Sequence, residues 1–580
     1  MRKFLFLLRS LVCLVPLLAP LSAASEQPNI VVILVDDAGF MDFGGYGGEA
    51  RTPNIEQLAD AGVRFSNYHT SPLCSPSRAM LLTGLDSHRT GVGTIPEILR
   101  KEQRGSDAYS LHLLPGVETI AGRLKDAGYE TFMTGKWHLG RGPGDLPDTH
   151  GFNRSFALDA SGADNWEQKP FMPFYAEAPW YEDGKPARLP DDFYSSRFLV
   201  DQMIDYLGAR DRDHPFFAYV AFQAIHIPVQ APKEFTDNYK GVYSGGWEAL
   251  MQERFKRAKI LGLVPEDAVP PALHPNLRKW ESLTPDEQAH LERRMMVNAG
   301  MLEAMDFNIG RLIDYLKSTG DFDNTIFVVT SDNGPEFGDP TTDPVFRVWM
   351  SFNGYNDDFD TMGEKGSMAA IGPEWASAAA APGSLFKMYA SEGGTRVPLI
   401  VSGPGILPQG FNGALSFVTD IAPTLTEFAG IYGANMDGRS LVPVLSGQSA
   451  GVYNKEDPVG LEVGGNSALF KGEYKLTRNT LPHGDAEWRL HHLGSDPAEV
   501  RDLSADQPAL REELIGDYAR YAAALGVVDL PKDFDVKKQI GINARNMMLK
   551  RASPVLAGLL LVLIAGAAFL FLRQRRRRPG

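Results

Sequence analysis

A single cysteine stands in a setting that suits chemistry, within the stretch SPLCSPSRAMLLTG. Cys74 is the only cysteine after the first two dozen residues, so it has no internal disulfide partner. Pro76 and the run that follows it predict that a helix begins here, which places the cysteine near the positive end of that helix. The thiol could be a low-pKa nucleophile close to Arg78, or a small apolar residue of the core. The residues alone leave both interpretations open.

Two pairs of oxygen-bearing side chains stand at the ends of apolar runs. Asp36 and Asp37 follow one such run, and Asp332 and Asn333 follow another. Adjacent carboxylates repel each other unless a positive charge lies between them, and oxygen ligands suit a hard divalent cation such as calcium. Either pair alone could instead cap the helix that follows it. The two pairs together favour a metal site.

Four apolar, β-rich runs would position these residues, because each run leads into a polar cluster. The runs are 30–35 before Asp36-Asp37, 129–134 before GKWHLG, 216–222 before His226 and 326–330 before SDNG. Helix-like segments lie between them, at 54–61, 118–127 and 299–317. This alternation predicts a mainly parallel sheet covered on both faces, and ligands bind such sheets at the carboxyl ends of the strands. All four polar clusters are expected at that edge.

The predicted fold is α/β, with a large, mainly parallel mixed sheet sandwiched by helices and a small C-terminal antiparallel α+β subdomain. The subdomain is predicted from the strand-like runs ALFKGEYKLTR and AEWRLHHLGSDPAEVRDLS and from an amphipathic helix over 507–525. Residues 172–291, rich in proline, tryptophan and charge, are predicted as long loops. The expected division is a signal peptide (1–24), a catalytic domain (25–447), the subdomain (448–528), a polar linker (529–552), a transmembrane helix (553–572) and a basic tail (573–580).

Both ends of the chain carry targeting patterns. The N-terminus has basic residues, an apolar run and small residues near Ala24, which is typical of a cleaved signal peptide. Residues 553–572 contain no charged side chain and five arginines follow, so a membrane-spanning helix with a cytoplasmic tail is expected. A buried helix of the globular fold is the alternative, which the adjacent arginines disfavour.

Composition and net charge limit the cell compartments and the binding partners that fit this protein. The 580 residues are 43% hydrophobic and carry a formal net charge of -15, which is globular and acidic. Such a surface disfavours nucleic acid as a partner. An exported domain of this size that forms no internal disulfide favours a bacterial periplasm or cell envelope.

The string CSPSRAMLLTG resembles the signature of the type I sulfatases, in which cysteine-x-proline-x-arginine is followed by threonine-glycine. Other blocks resemble the same family, namely LVDDAGFMDFGGYGG, GKWHLG, HGFNRSF, VVTSDNGPE, MYASEGGTRVPLIVSGPG and WRLHHLGSDPAEVRDLS. The resemblance spans nearly the whole exported chain and is closest to bacterial arylsulfatases. It implies an alkaline-phosphatase-like fold and hydrolysis of aryl or alkyl sulfate esters.

The resemblance also implies a set of site residues. Cys74 would be converted to formylglycine by a maturation enzyme that reads the proline and the arginine, and its hydrate would be the nucleophile. One calcium ion would be held by Asp36, Asp37, Asp332, Asn333 and residue 74. The implied catalytic residues are Cys74, Arg78, Lys136, His138, His226 and Lys387. The implied substrate-binding residues are Ser161, Lys136, Lys387 and His226.

Each implied residue has a chemical role. The cations Arg78, Lys136 and Lys387 would offset the charge of the sulfuryl oxygens or orient the diol. His226, together with Lys387, would protonate the leaving alcohol or phenol. His138 would take a proton from the second hydroxyl, which expels sulfate and restores the aldehyde.

Three other functions are consistent with parts of this pattern. A phosphonate monoester or phosphodiester hydrolase of the same superfamily is the nearest, because phosphate and sulfate esters share tetrahedral geometry. A non-catalytic binding protein would be expected to lack one or more of the motif residues, and all are present. A hydrolase that uses an unmodified Cys74 thiol explains no other feature.

Overall fold

The structure, a computed structural model, describes the backbone of residues 27–575. In the last helix it leaves out the side chains of residues 552, 554–557, 559, 560, 570–572, 574 and 575. The predicted signal peptide, 1–24, lies outside the described residues, as do residues 576–580 of the predicted basic tail.

The strands follow the apolar runs of the sequence closely. In chain order they are β1 (Asn29–Val35), β2 (Gly62–Phe65), β3 (Tyr68–His69), β4 (Glu130–Lys136), β5 (Arg154–Leu158), β6 (Trp180–Glu182), β7 (Lys185–Pro186), β8 (Phe216–Ala221), β9 (Thr325–Ser331), β10 (Leu399–Ser402), β11 (Gly410–Asn412), β12 (Ser416–Phe417), β13 (Val459–Val463), β14 (Asn466–Lys471), β15 (Tyr474–Arg478) and β16 (Trp488–His492).

Fifteen α-helices are present among the described residues. They are α1 (Pro53–Asp60), α2 (Cys74–Thr83), α3 (Ser87–Thr90), α4 (Ile120–Asp126), α5 (Ser195–Ala209), α6 (Lys233–Thr236), α7 (Gly246–Ile260), α8 (Pro285–Thr319), α9 (Pro344–Phe352), α10 (Gly372–Ala379), α11 (Glu392–Thr395), α12 (Ile421–Phe428), α13 (Val442–Leu445), α14 (Pro508–Leu525) and α15 (Val536–Arg575).

Ten strands form one large sheet in the order β11-β2-β10-β9-β1-β8-β4-β5-β6-β7. The central strands β9, β1, β8, β4 and β5 run parallel, whereas β10 and β6 pair antiparallel with their inner neighbours. The prediction of a mainly parallel mixed sheet is therefore confirmed.

Strand β1 shows why this sheet is buried on both faces. Successive side chains of a strand point to opposite faces. Val31, Ile33 and Val35 belong to one apolar cluster, and the alternate residues Ile30, Val32 and Leu34 belong to another. Helices complete each cluster, so the sheet forms the middle layer of the fold. Because its central strands are parallel, the polar residues that follow them lie at one edge of the sheet.

The prediction of long loops over residues 172–291 was wrong in part. This stretch contains the 15-residue helices α5 and α7. Helix α7 buries Trp247, Met251 and Phe255, which are spaced by four residues and so lie on one helical face. The charged residues between them mask this pattern in the sequence.

The C-terminal region has the predicted antiparallel sheet. Strands β13 to β16 pair in sequence order, and α14 packs on them, which confirms the helix predicted over 507–525. Helix α15 differs from the expected polar linker, because it begins at Val536 and continues through the predicted transmembrane segment 553–572. Among the described residues, no helix combines the length and apolarity that a membrane crossing requires.

Candidate active site

The two oxygen-bearing pairs meet because β1 and β9 are parallel neighbours. Their last residues pair with each other, so the residues that follow lie side by side. The backbone N–H of Asp37 donates to Oδ1 of Asp332 over 3.2 Å, and Nδ2 of Asn333 donates to Oδ1 of Asp37 over 2.6 Å. Asp37 has a left-handed φ of 67°, which is uncommon for a non-glycine residue and turns the chain sharply after the strand.

These residues fit a divalent cation. Ligand atoms of Asp36, Asp37, Asp332 and Cys74 all lie within 4.8 Å of one another, and all four residues are buried. Oδ1 of Asn333 is also buried and has no hydrogen-bond partner among the described residues. A buried acceptor without a partner is costly, and a bound cation would satisfy it. The donor set consists mainly of hard oxygen atoms, which suits calcium.

Cys74 is the first residue of α2, as the sequence predicts. Its Sγ lies 3.6 Å from Oδ1 of Asp36 and 3.8 Å from Oδ1 of Asp37. Burial raises the pKa of the Cys74 thiol well above its ordinary value, although Lys136 and Lys387 oppose the rise. The structure therefore disfavours the low-pKa thiolate and leaves position 74 beside the candidate metal ligands.

Three cations surround the carboxylates. Nζ of Lys136 lies 2.6 Å from Oδ2 of Asp36, and Nζ of Lys387 lies 2.7 Å from Oδ1 of Asp37. Nε and Nη2 of Arg78 both donate to Oδ2 of Asp332, over 2.9 and 2.7 Å. Lys136 is the last residue of β4, and Lys387 lies in the loop before α11.

The two predicted histidines are buried and differ in their contacts. Both ring nitrogens of His138 have no hydrogen-bond partner among the described residues. Burial, with the charges of Lys136 and Arg78, lowers the pKa of His138 well below its ordinary value, so the ring is neutral and one of its nitrogens has a free lone pair. Nδ1 of His226 lies 2.6 Å from the carbonyl oxygen of Ile227, and Nε2 lies 3.8 Å from Oδ2 of Asp37.

Ser161 lies at the margin of the site. Its hydroxyl donates to Oε1 of Glu97 over 3.3 Å and accepts from the hydroxyl of Tyr175 over 3.0 Å. The next residue is Gly162, and a Cβ there would lie only 2.8 Å from Nδ1 of His226. Ser161 is therefore adjacent to His226 along the chain, but its own hydrogen bonds join it to a different network.

Sequence reasoning missed a charged residue of this site. Glu336 is half-buried, and its Oε2 lies 2.9 Å from Nζ of Lys387. Lys387 lowers the pKa of the Glu336 carboxyl to about 2, against the effect of burial, so this side chain is a carboxylate at neutral pH. Its place in SDNGPE, three residues after Asn333, was a signal that could have identified it.

Comparison with known proteins identifies the family of this chain. The sulfatase family model matches residues 28–431, which include every candidate site residue. The chain is also 39% identical to an arylsulfatase of Klebsiella aerogenes over 415 residues, covering 71% of this chain and 88% of the relative. The chain belongs to the sulfatase family. This sulfatase is accordingly a hydrolase of sulfuric esters.

Further relatives support the same assignment over the full length. An uncharacterized sulfatase of Schizosaccharomyces pombe is 37% identical over 543 residues, covering 90% of this chain and 98% of the relative. The crystal structure of Ps i-CgsB with k-i-k-neocarrahexaose superposes with a TM-score of 0.62 at 22% identity, covering 91% of this chain and 99% of that one. The PsFucS1 sulfatase from Pseudoalteromonas sp. gives a TM-score of 0.56 at 22% identity, covering 87% and 91%. At these identities the two structures establish the fold.

Calcium should stabilise this sulfatase more at high pH than at low pH. Burial raises the pKa of Asp37 from 3.8 to about 8, with Lys387 opposing the rise and Asp36 adding to it. Between these two pKa values, Asp37 of the cation-free folded chain therefore holds a proton that the unfolded chain has released. The contribution of Asp37 to the free energy of unfolding consequently falls as pH rises from 3.8 to about 8. A bound cation replaces the proton.

Melting curves with calcium and with a chelator measure the rise in melting temperature that calcium causes. We expect this rise to be larger at about pH 8.5 than at about pH 6. Equal shifts would show that Asp37 holds no extra proton in the cation-free chain, and the absence of any shift would contradict the metal assignment.

Proposed function

We propose that this sulfatase hydrolyses small aryl or alkyl sulfate esters through a formylglycine formed from Cys74, with one calcium ion bound beside it. The observation that carries the proposal is the position of the Cys74 Sγ, within 4 Å of two of the three clustered carboxylates. The cations Arg78, Lys136 and Lys387 pair with those same carboxylates. An anionic sulfate group placed at this point would meet several positive charges in a water-poor setting.

The modified residue and the metal would supply chemistry that the other side chains lack. Formylglycine hydrate supplies a hydroxyl to attack sulfur and a second hydroxyl through which sulfate is released. Calcium, held by Asp36, Asp37, Asp332 and Asn333, supplies Lewis acidity that lowers the pKa of that hydroxyl and offsets charge on sulfate.

The remaining residues would hold the substrate and move protons. Lys136 and Lys387 would bind sulfuryl oxygens, and Arg78 would hold Asp332 in place through its two donated hydrogen bonds. His138, neutral and with unpartnered ring nitrogens, suits a base that takes a proton from the second hydroxyl. His226 and Lys387 both lie beside Asp37, and together they would deliver a proton to the leaving oxygen. Ser161 would border the bound ester through its position next to Gly162 and His226.

Substrate class is tested by comparing matched esters. The chain, expressed together with a formylglycine-generating enzyme, is assayed with an aryl sulfate and with the corresponding aryl phosphate and phosphonate monoester. The name of the Klebsiella aerogenes relative, arylsulfatase, supports the aryl sulfate as the first ester to use. We expect turnover of the sulfate to exceed that of both phosphorus esters. Faster turnover of either phosphorus ester would overturn the proposed substrate class.

We also propose export to a bacterial periplasm or cell envelope, with membrane attachment through residues 553–572 at the end of α15. This part of the proposal rests on the sequence of that segment, since no described helix meets the requirements of a membrane crossing. Residues 553–572 carry no charge, and the consecutive side chains of residues 561–564 are each more than half exposed. The same helix is fixed to the body, because Asn543 donates to the carbonyl oxygen of Glu97 and Arg551 donates to that of Phe174. In cell fractionation, the full chain should sediment with membranes and a chain ending before residue 553 should not. Recovery of the full chain in the soluble fraction would refute the anchor.

A further inference from the structure

Glu336 lies beside the candidate metal ligand Asp37 and contacts Lys387. Its Oε2 lies 2.9 Å from Nζ of Lys387, and its Oε1 accepts the backbone N–H of Gly338 over 2.6 Å. The second bond fixes the carboxylate, because it ties the side chain to the loop that carries it. Lys387 therefore lies between two acids, with Asp37 on its other side at 2.7 Å.

These two partners of Lys387 are not equivalent. Asp37 is one of the candidate calcium ligands, and its oxygens would be shared with a bound cation. Glu336 does not belong to the group formed by Asp36, Asp37, Cys74 and Asp332. Its carboxylate is therefore the counter-charge that Lys387 keeps when the metal site is filled.

His226 completes the group. Ligand atoms of Asp37, His226 and Glu336 lie within 4.8 Å of one another. Two other contacts hold the imidazole. Its Nδ1 lies 2.6 Å from the Ile227 carbonyl oxygen, and the Phe171 ring lies nearly perpendicular to it at a centroid distance of 5.3 Å. Its Nε2 is consequently the nitrogen directed toward the carboxylates.

We propose that Glu336 is a positioning residue for departure of the alcohol, which it serves by holding Lys387 and His226 at the side of the site where the leaving oxygen exits. This inference rests on the proposed function. When the bond between sulfur and the leaving oxygen breaks, the electron pair stays on that oxygen. The oxygen then takes a proton from Nζ of Lys387, which becomes a neutral amine, with the His226 ring beside it. Without Glu336, the long and flexible Lys387 side chain would lose the partner that is not shared with the metal.

The loss of rate on removing Glu336 should depend on the leaving group of the ester. A nitrophenolate leaves readily without a proton, whereas an alkoxide needs one as the bond breaks. Proton donation typically contributes about 10²- to 10⁴-fold in rate. Glu336 should therefore matter far more for esters of simple alcohols than for activated aryl esters, and a leaving-group series isolates its role.

The test compares E336Q with the unaltered chain on 4-nitrophenyl sulfate and on an unactivated alkyl sulfate. Glutamine keeps the size and one acceptor oxygen but removes the charge. We expect kcat for the alkyl sulfate to fall by about 10²-fold or more and kcat for the nitrophenyl ester to fall by less than about tenfold. E336D, which restores the charge on a shorter side chain, should recover part of the loss. E364Q, the same exchange at a half-buried position in the following segment, should leave both rates unchanged.

The outcomes separate the inference from the function on which it rests. Failure of the unaltered chain to hydrolyse either ester would overturn the proposed function. Equal losses on both esters in E336Q would overturn the positioning role, and this ratio does not depend on how much of the variant is folded. The calcium content of E336Q should match that of the unaltered chain, and loss of the metal would make Glu336 a ligand and overturn the inference as well.

Discussion

Cys74→Ala should lose at least about 10⁴-fold in sulfatase turnover, because it removes the nucleophile while the rest of the site remains. The side chain is small and buried, so alanine fits the same space at the start of α2. Turnover is measured as the steady-state release of phenol from an aryl sulfate, with the folded state checked by melting curves. A rate for Cys74→Ala within about tenfold of the unaltered chain would contradict position 74 as the nucleophile.

Cys74→Ser separates a nucleophile that attacks once from one that is regenerated. A serine hydroxyl can attack sulfur, but the resulting serine sulfate has no second hydroxyl through which to expel sulfate. We therefore expect release of at most one equivalent of phenol per chain, followed by arrest. Sustained turnover by Cys74→Ser would show that the second hydroxyl is dispensable.

Arg78→Ala should be the most destabilising exchange in the site. The side chain is fully buried, donates twice to Asp332 and once to the carbonyl oxygen of Lys136, and lies 3.5 Å from Asp36. Its removal leaves a buried carboxylate without its partner, which typically costs about 3–5 kcal/mol. Urea unfolding in the presence of calcium measures the difference. Arg78→Lys should recover only part of the loss, because an ammonium cannot reproduce the planar fork of hydrogen bonds.

An exposed ion pair provides the matched control. Arg501 lies 2.7 Å from Asp506, and the two side chains are 72% and 57% exposed. Pairs of this kind contribute about 0–1 kcal/mol, so Arg501→Ala should unfold almost like the unaltered chain. If Arg78→Ala were no more destabilising than Arg501→Ala, the buried Arg78 pair would not be a structural element of the site.

The sequence was sufficient to predict that most residues of the candidate site lie together, because they stand in short motifs at strand ends. Asp36 and Asp37 follow β1, Lys136 ends β4, and parallel pairing brings such ends to one edge without knowledge of any loop. The start of the helix at Cys74 is likewise predicted from nearby residues, namely Pro76 and those that follow it. These features depend on short-range chemistry and on the general geometry of parallel sheets.

Other parts of the site depend on contacts between distant segments. The partner of Glu336 is Lys387, on a loop 51 residues further along, and nothing local indicates that pairing. Ser161 is hydrogen-bonded to Glu97, 64 residues earlier, so the resemblance that implied Ser161 could not show that its hydroxyl is already engaged. Helices α5 and α7 were missed for a related reason, since their buried faces become evident only against the core that they cover.

The central claim is that a converted Cys74 performs the chemistry. The most direct measurement is mass spectrometry of the peptide containing residue 74, in preparations made with and without a formylglycine-generating enzyme, alongside turnover of an aryl sulfate by the same samples. The account predicts that turnover rises in proportion to the fraction of chains carrying an aldehyde at position 74. Full turnover in a preparation whose residue 74 is entirely the thiol would contradict it.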